Sequence, residues 1–356
     1  VCSSDLSRPG GWRPARVRGR EDGRVTKSLF RSLGAITVLV ALVALPACSR
    51  DRDRSAPAST TTTAPPTSTT TTTPPTTTGA GGGIVNEWAG PPVDTTRLPI
   101  GTPKVSLTGP AVGGLFACDA GNPRGGGALR AGTWIDESSG TWNLEEKVAV
   151  EGAVSWPMAS YSETVSGGQR VIASNGLPVE EVTGTFPIAA DDPAFRYDRN
   201  PNRIAPTELQ VSLPVAPTPA ATPTCLGKGS IGVLANGVAL YAPIDEGNRD
   251  AVAYETQDSC DGHPQQGNTY HYHEVPSCIR DASTGSSTVV GFAFDGFPIV
   301  VERDASGELP TNADLDECHG RTSPITLDGR VTEMYHYSAT AEFPYFIGCF
   351  RGTRVG

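Results

Sequence analysis

The chain has 356 residues, of which 41 are Gly and 31 Pro, with 37% hydrophobic and 19% charged residues. These proportions exclude a polytopic membrane protein, a coiled coil and a charge-driven disordered chain, and favour a loop-rich, β-rich exported protein. The charge is uneven: residues 84–356 hold 17 Lys+Arg against 33 Asp+Glu, a formal charge of −16 that disfavours nucleic acid and anionic lipid as partners and favours cations.

The first six residues, Val-Cys-Ser-Ser-Asp-Leu, are what a widely used sequencing-adapter oligonucleotide encodes, so residues 1–24 are expected to be read-through leader, with Val25 as the start. From there Lys27 and Arg31 form a basic region and Gly34 to Leu45 an apolar one too short to span a bilayer. Leu45-Pro46-Ala47-Cys48 resembles a lipobox, so residues 25–48 read as a lipoprotein-type signal peptide with Cys48 as the lipidated residue; Pro46 is uncommon at its position, and ordinary signal-peptide cleavage is the alternative. The expected location is the outer face of the cytoplasmic membrane or the cell wall, with membrane contact only through that lipid. Residues 49–83 are rich in Thr and Pro, have little to bury, and are predicted to be a disordered spacer.

From residue 84 to 224 short apolar runs alternate with Gly/Pro turns. Thr133-Trp134-Ile135, Thr141-Trp142-Asn143, Lys147-Val148-Ala149-Val150-Glu151, Arg170 to Ser174 and Val182 to Ile188 read as strands, with Asn175-Gly176 as a turn. The predicted fold class is all-β, a sandwich or barrel-like domain stapled by disulfides, with short helical insertions. The one helix of note is Asp250 to Ser259, capped by Asn248 or Asp250.

Six cysteines remain after Cys2 and Cys48 are set aside, an even number that in an exported chain reads as a disulfide framework. The C-terminal part contains two similar runs. Cys260-Asp261-Gly262-His263 leads to Tyr270-His271-Tyr272-His273 and Cys278; Cys318-His319-Gly320-Arg321 leads to Tyr335-His336-Tyr337-Ser338 and Cys349. This suggests a duplicated hairpin, each copy with its own disulfide, and pairs Cys260 with Cys278, Cys318 with Cys349 and Cys118 with Cys225.

All five histidines lie between 263 and 336. On a strand, Tyr270 and Tyr272 share one face and His271 and His273 the other, about 6.5 Å apart, close enough for both imidazoles to reach one metal ion. His336, the matching residue of the second run, is the expected third ligand, with His263 or Asp295 as a fourth. Imidazole ligands suit zinc or copper rather than calcium or magnesium. Asp258 and Asp261 are candidates to orient an imidazole, and His319 is expected to be a surface or turn residue. Gly125 to Gly127 reads as a plain loop, and the stretch Asp304 to Glu308 does not fit an EF-hand. No H-E-x-x-H, G-x-S-x-G or P-loop motif is present.

These residues resemble the YHYH domain family of exported bacterial proteins. The resemblance rests on Asp261-Gly262-His263-Pro264, Tyr270 to His273, Gly291 to Ile299, Leu315 to Arg321 and Phe343 to Gly352, and places a YHYH domain over residues 225–354. It implies that Tyr270 to His273 and Asp295 belong together in space, and it brings no established activity. Val300 stands where the family usually has Tyr, and His319 where Asn is frequent. The leading expectation is therefore an envelope-anchored protein that binds zinc or copper. A metal-independent module, showing its Tyr and Trp residues to a cell-wall glycan or envelope protein, is the second. A metal-dependent hydrolase with no nominated base is the third.

Overall fold

The computed structural model describes residues 77–78 and 83–355, apart from 127 and 129. Cys48, the signal segment and most of the Thr/Pro-rich spacer lie outside the described residues. Among the described residues, no helix is long and apolar enough to cross a membrane.

Short strands dominate the first part: β1 (Thr77–Thr78), β2 (Ile84–Val85), β3 (Leu98–Pro99), β4 (Val105–Ser106), β5 (Leu115–Phe116), β6 (Ile135–Asp136) and β7 (Thr141–Trp142). Longer ones follow: β8 (Tyr161–Ser166), β9 (Gln169–Ser174) and β10 (Leu209–Pro214). The remainder contains β11 (Ser230–Leu234), β12 (Ala239–Tyr241), α1 (Ala251–Tyr254), β13 (Gly262–Pro264), β14 (Tyr270–Tyr272), α2 (Ser277–Arg280), β15 (Ser287–Ala293), β16 (Pro298–Glu302), β17 (Gly320–Leu327) and β18 (Arg330–Ser338). The fold is all-β, as composition suggested. Pairing of β1 with β2 starts ordered structure before residue 84.

The dominant feature is an open eight-stranded sheet in the order β13-β14-β12-β11-β15-β16-β18-β17. It does not close, so the barrel-like alternative is set aside. Its central strands are buried along most of their length and read as Val, Ile and Phe runs, the pattern of a sheet covered on both faces. The cover includes the earlier segments, which share one core with the sheet: Leu98, Trp142, Ile172 and Leu213 belong to the same buried cluster as Phe292, Tyr337 and Phe350. A buried side chain of this size is worth about 1.5–3 kcal/mol, which ties residues 84–224 to the C-terminal part.

Three disulfides join Cys118 to Cys225, Cys260 to Cys278 and Cys318 to Cys349. Two predicted strands are absent as named elements. Lys147 to Glu151 makes a single bridge from Val150 to Asp258, and Val182 to Ile188 makes one from Thr183 to Val154. The predicted helix is shorter than expected. Asp250 caps it, accepting from the Ala253 N–H, but it stops at Tyr254 and Glu255 is extended. The Gln257 carbonyl is taken by the Val150 N–H and Asp258 bonds to neighbouring turns, so the backbone beyond Tyr254 has partners outside a helix.

Candidate metal centre

The YHYH strand is β14, and its alternation is the expected one. Tyr270 and Tyr272 lie on the core face, fully buried, their rings edge to face at 5.4 Å. The Tyr270 hydroxyl donates to the Asp258 carboxylate at 2.9 Å, and the Tyr272 hydroxyl accepts from Asn236 Nδ2 at 3.1 Å. His271 and His273 share the opposite face. Antiparallel pairing sets His263 of β13 directly across from His271, and the three imidazoles form one buried cluster.

Backbone carbonyls face one nitrogen of each of two rings. His273 Nδ1 lies 2.6 Å from the Ala242 carbonyl and His271 Nδ1 3.3 Å from the Thr269 carbonyl. An Nδ1–H donating to a carbonyl leaves Nε2 as a lone pair, the arrangement a metal-binding imidazole needs. The two Nε2 atoms face each other at 3.2 Å. Both ring nitrogens of His263 are buried without a hydrogen-bond partner. Tyr241 stacks on His271 with ring centroids 4.0 Å apart and fixes that ring from outside.

A carboxylate adjoins two of the three rings. Glu255 Oε2 lies 3.2 Å from His273 Nε2 and 3.4 Å from His263 Nε2, and has no hydrogen-bond partner. Four donors at tetrahedral corners about 2.05 Å from an ion would stand roughly 3.3 Å apart. Three of the six donor separations, 3.2, 3.2 and 3.4 Å, agree with that spacing, and the ligand atoms of the three imidazoles all lie within 4.8 Å of one another. Burial pulls His263 down to about 4 against the opposing pull of Glu255, and pulls His271 well below its usual range, with neighbouring histidines adding to the effect. Both rings are neutral at pH 7. Burial works to raise Glu255, but the charge His263 carries when protonated, with a contribution from His273, outweighs it, so the carboxyl stays ionised as His263 becomes neutral. Neutral imidazoles beside a carboxylate are a donor set for zinc or copper.

The cluster forms one wall of a cavity of about 730 Å³, lined also by Tyr241, Gln265, Lys228 and Asp198. Burial, then the charge of Glu255, pushes Asp198 up to about 7. Glu255, Tyr241 and Asp198 were not singled out from sequence. Glu255 is eight residues before His263, a separation that matches no short ligand motif, and it arrives only because α1 ends one residue earlier.

Three sequence-based assignments are corrected. His336 lies on β18, five strand spacings from β14, roughly 24 Å at about 4.8 Å per strand. It pairs with Glu302 instead, Nε2 to Oε2 at 3.0 Å. Asp295 is a turn residue whose carboxylate accepts from the Tyr337 hydroxyl at 2.5 Å and from the Phe297 and Gly352 N–H groups. Asp258 and Asp261 orient no imidazole. Asp258 holds Tyr270 and the backbone of Gly184, Cys260 and Gly262, while Asp261 accepts from the Ser277 N–H. His319 occupies a turn at φ +69° but is buried, with Nε2 3.0 Å from Thr340 Oγ1.

Most of the Tyr and Trp side chains that a glycan-binding reading would use face inward. Tyr270, Tyr272, Trp134 and Trp142 are buried, and Trp88 and Trp156 are partly buried.

No curated protein and no solved structure matches the chain. A family model described as YHYH protein matches residues 210–309, from β10 to the loop before β17, a stretch that starts earlier and ends sooner than the 225–354 expected. Over those residues the chain carries a YHYH domain.

Proposed function

We propose that the protein binds one zinc or copper ion through His263, His271, His273 and Glu255, and handles that ion outside the cytoplasm as an exported, lipid-anchored envelope protein. The observation that carries this reading is the convergence of three buried imidazoles whose ligand atoms all lie within 4.8 Å of one another, with Glu255 Oε2 3.2 and 3.4 Å from two of them and no hydrogen-bond partner for His263 Nε2 or Glu255 Oε2. Unpaired buried polar atoms are costly, and a shared cation is what this set would satisfy. The adjoining cavity supplies a path for the ion to arrive and leave.

The test is elemental analysis of the chain produced in an oxidising compartment without a His affinity tag. Wild type is expected to hold one zinc or copper per chain and a folded His271→Ala/His273→Ala variant none, while His336→Ala retains the full equivalent. A folded wild type that neither carries nor takes up metal would overturn the reading.

A further inference from the structure

The eight-stranded sheet consists of two copies of one four-strand pattern. β11 pairs with β12, β12 runs parallel to β14, and β14 pairs antiparallel with β13. β15, β16, β18 and β17 repeat these relationships in the same order. The copies meet where β11 pairs with β15, around Val233 opposite Phe292, and each has a register shift at an equivalent glycine, Gly232 and Gly291.

Side chains follow the same correspondence. Tyr270 donates to Asp258 as Tyr335 donates to Asp316. Tyr272 meets Asn236 as Tyr337 meets Asp295, each partner beginning a turn whose Gly has φ near +90°. His271 Nδ1 lies at the carbonyl two residues before it, and so does His336 Nδ1. His336 is therefore the counterpart of His271. By the same register Arg321 stands opposite His336 where His263 stands opposite His271, and Ser338 replaces His273.

A carboxylate is present in both copies, although from different segments. In the second copy Glu302 lies 3.0 Å from His336 Nε2, 2.7 Å from Ser338 Oγ and 3.8 Å from Arg321 Nε. Arg321 is 2% exposed, and both of its terminal nitrogens lack a hydrogen-bond partner. A guanidinium brought into the interior without full hydrogen bonding is expensive unless it supplies a needed positive charge.

We infer that the second copy is a latent metal site, in which the guanidinium of Arg321 stands in for the cation that the first copy is proposed to bind. His336 occupies a ligand position of the first copy, Glu302 supplies a carboxylate from a different segment, and two substitutions, Arg321→His and Ser338→His, give a set of three imidazoles and one carboxylate. This rests on the metal reading of the first copy for its chemistry, but its test does not need that site to be occupied.

The experiment is zinc titration of the full chain, followed by calorimetry and elemental analysis, with circular dichroism to establish folding. In a His271→Ala/His273→Ala background, which removes the first site, no zinc is expected. Adding Arg321→His and Ser338→His is expected to restore one equivalent. A folded four-substitution protein that takes up no zinc overturns the inference whatever the wild type does; wild type alone reports on the first site. If that protein does not fold, urea unfolding of Arg321→Ala decides. Its midpoint should fall and be raised again by adding Glu302→Gln, because the lost guanidinium no longer leaves a buried carboxylate uncompensated. No recovery in the double variant means that Arg321 is not the carboxylate's cation, and overturns the inference.

Discussion

His271 Nε2 and His273 Nε2 face each other at 3.2 Å inside a buried site, while the Nδ1 atoms of the same rings sit at 3.3 and 2.6 Å from backbone carbonyls. Two lone pairs cannot remain in contact at that distance without a proton or a cation between them. In the metal-free protein the shorter Nδ1 contact belongs to His273, so His273 keeps its Nδ1 proton. His271 gives up its weaker bond to Thr269 and donates from Nε2. We expect ¹⁵N NMR of the metal-free chain to show His271 as the Nε2–H tautomer and His273 as the Nδ1–H tautomer. Zinc should convert His271 to Nδ1–H and leave His273 unchanged. Two Nδ1–H rings before metal is added would count against this pairing.

The carboxylate makes a separable contribution. Glu255→Gln keeps the size of the side chain but removes the charge opposite His263 and His273. Zinc should still bind to three imidazoles, with affinity reduced by at least the 10–100-fold typical of losing an outer partner. Competition with a chromophoric chelator measures the change. Equal affinity in wild type and variant would show that Glu255 is not a ligand.

The paired tyrosines support the fold and not the metal. The Tyr270 hydroxyl donates to Asp258, whose carboxyl burial pushes up to about 6, and the Tyr337 hydroxyl donates to Asp295 and accepts from the Arg351 N–H. Tyr270→Phe and Tyr337→Phe each leave a buried group short of a partner, at a cost of about 1–3 kcal/mol. Urea unfolding should show both losses, with metal stoichiometry unchanged in both variants.

The local pattern of the site was legible in the sequence, and its convergence was not. Strand alternation is a period-two property of the backbone, so Tyr270-His271-Tyr272-His273 already assigned its rings to two faces. The repeat likewise paired Cys260 with Cys278 and Cys318 with Cys349, since each copy closes on itself. The same repeat misled the choice of third ligand. His336 matches His271, and matching residues of a duplicated sheet lie in opposite halves, so the resemblance that nominated it is the reason it is remote. His263 is adjacent because the hairpin register is local. Glu255 depends on where a four-residue helix stops, which was set by partners far along the chain, among them Val150 for Gln257 and Gly184 for Asp258.

His319 offers a pH experiment away from the metal cluster. Burial, with a further push from Lys104, lowers it from 6.5 to about 3. As pH falls below 6.5 the unfolded chain takes up a proton that the folded one refuses, so this residue removes stability on the acid side. Between pH 7 and pH 4 the loss amounts to about 3 kcal/mol at 1.36 kcal/mol per unit. Asparagine tolerates the turn's φ of +69° and does not titrate. At pH 7, His319→Asn should cost about 1 kcal/mol through the lost Thr340 contact. By pH 4 it should be the more stable protein, by about 2 kcal/mol, because it escapes the acid loss. Parallel denaturant curves for wild type and variant at the two pH values would measure the crossover, and curves that keep a constant separation would show that His319 is not held neutral by the fold.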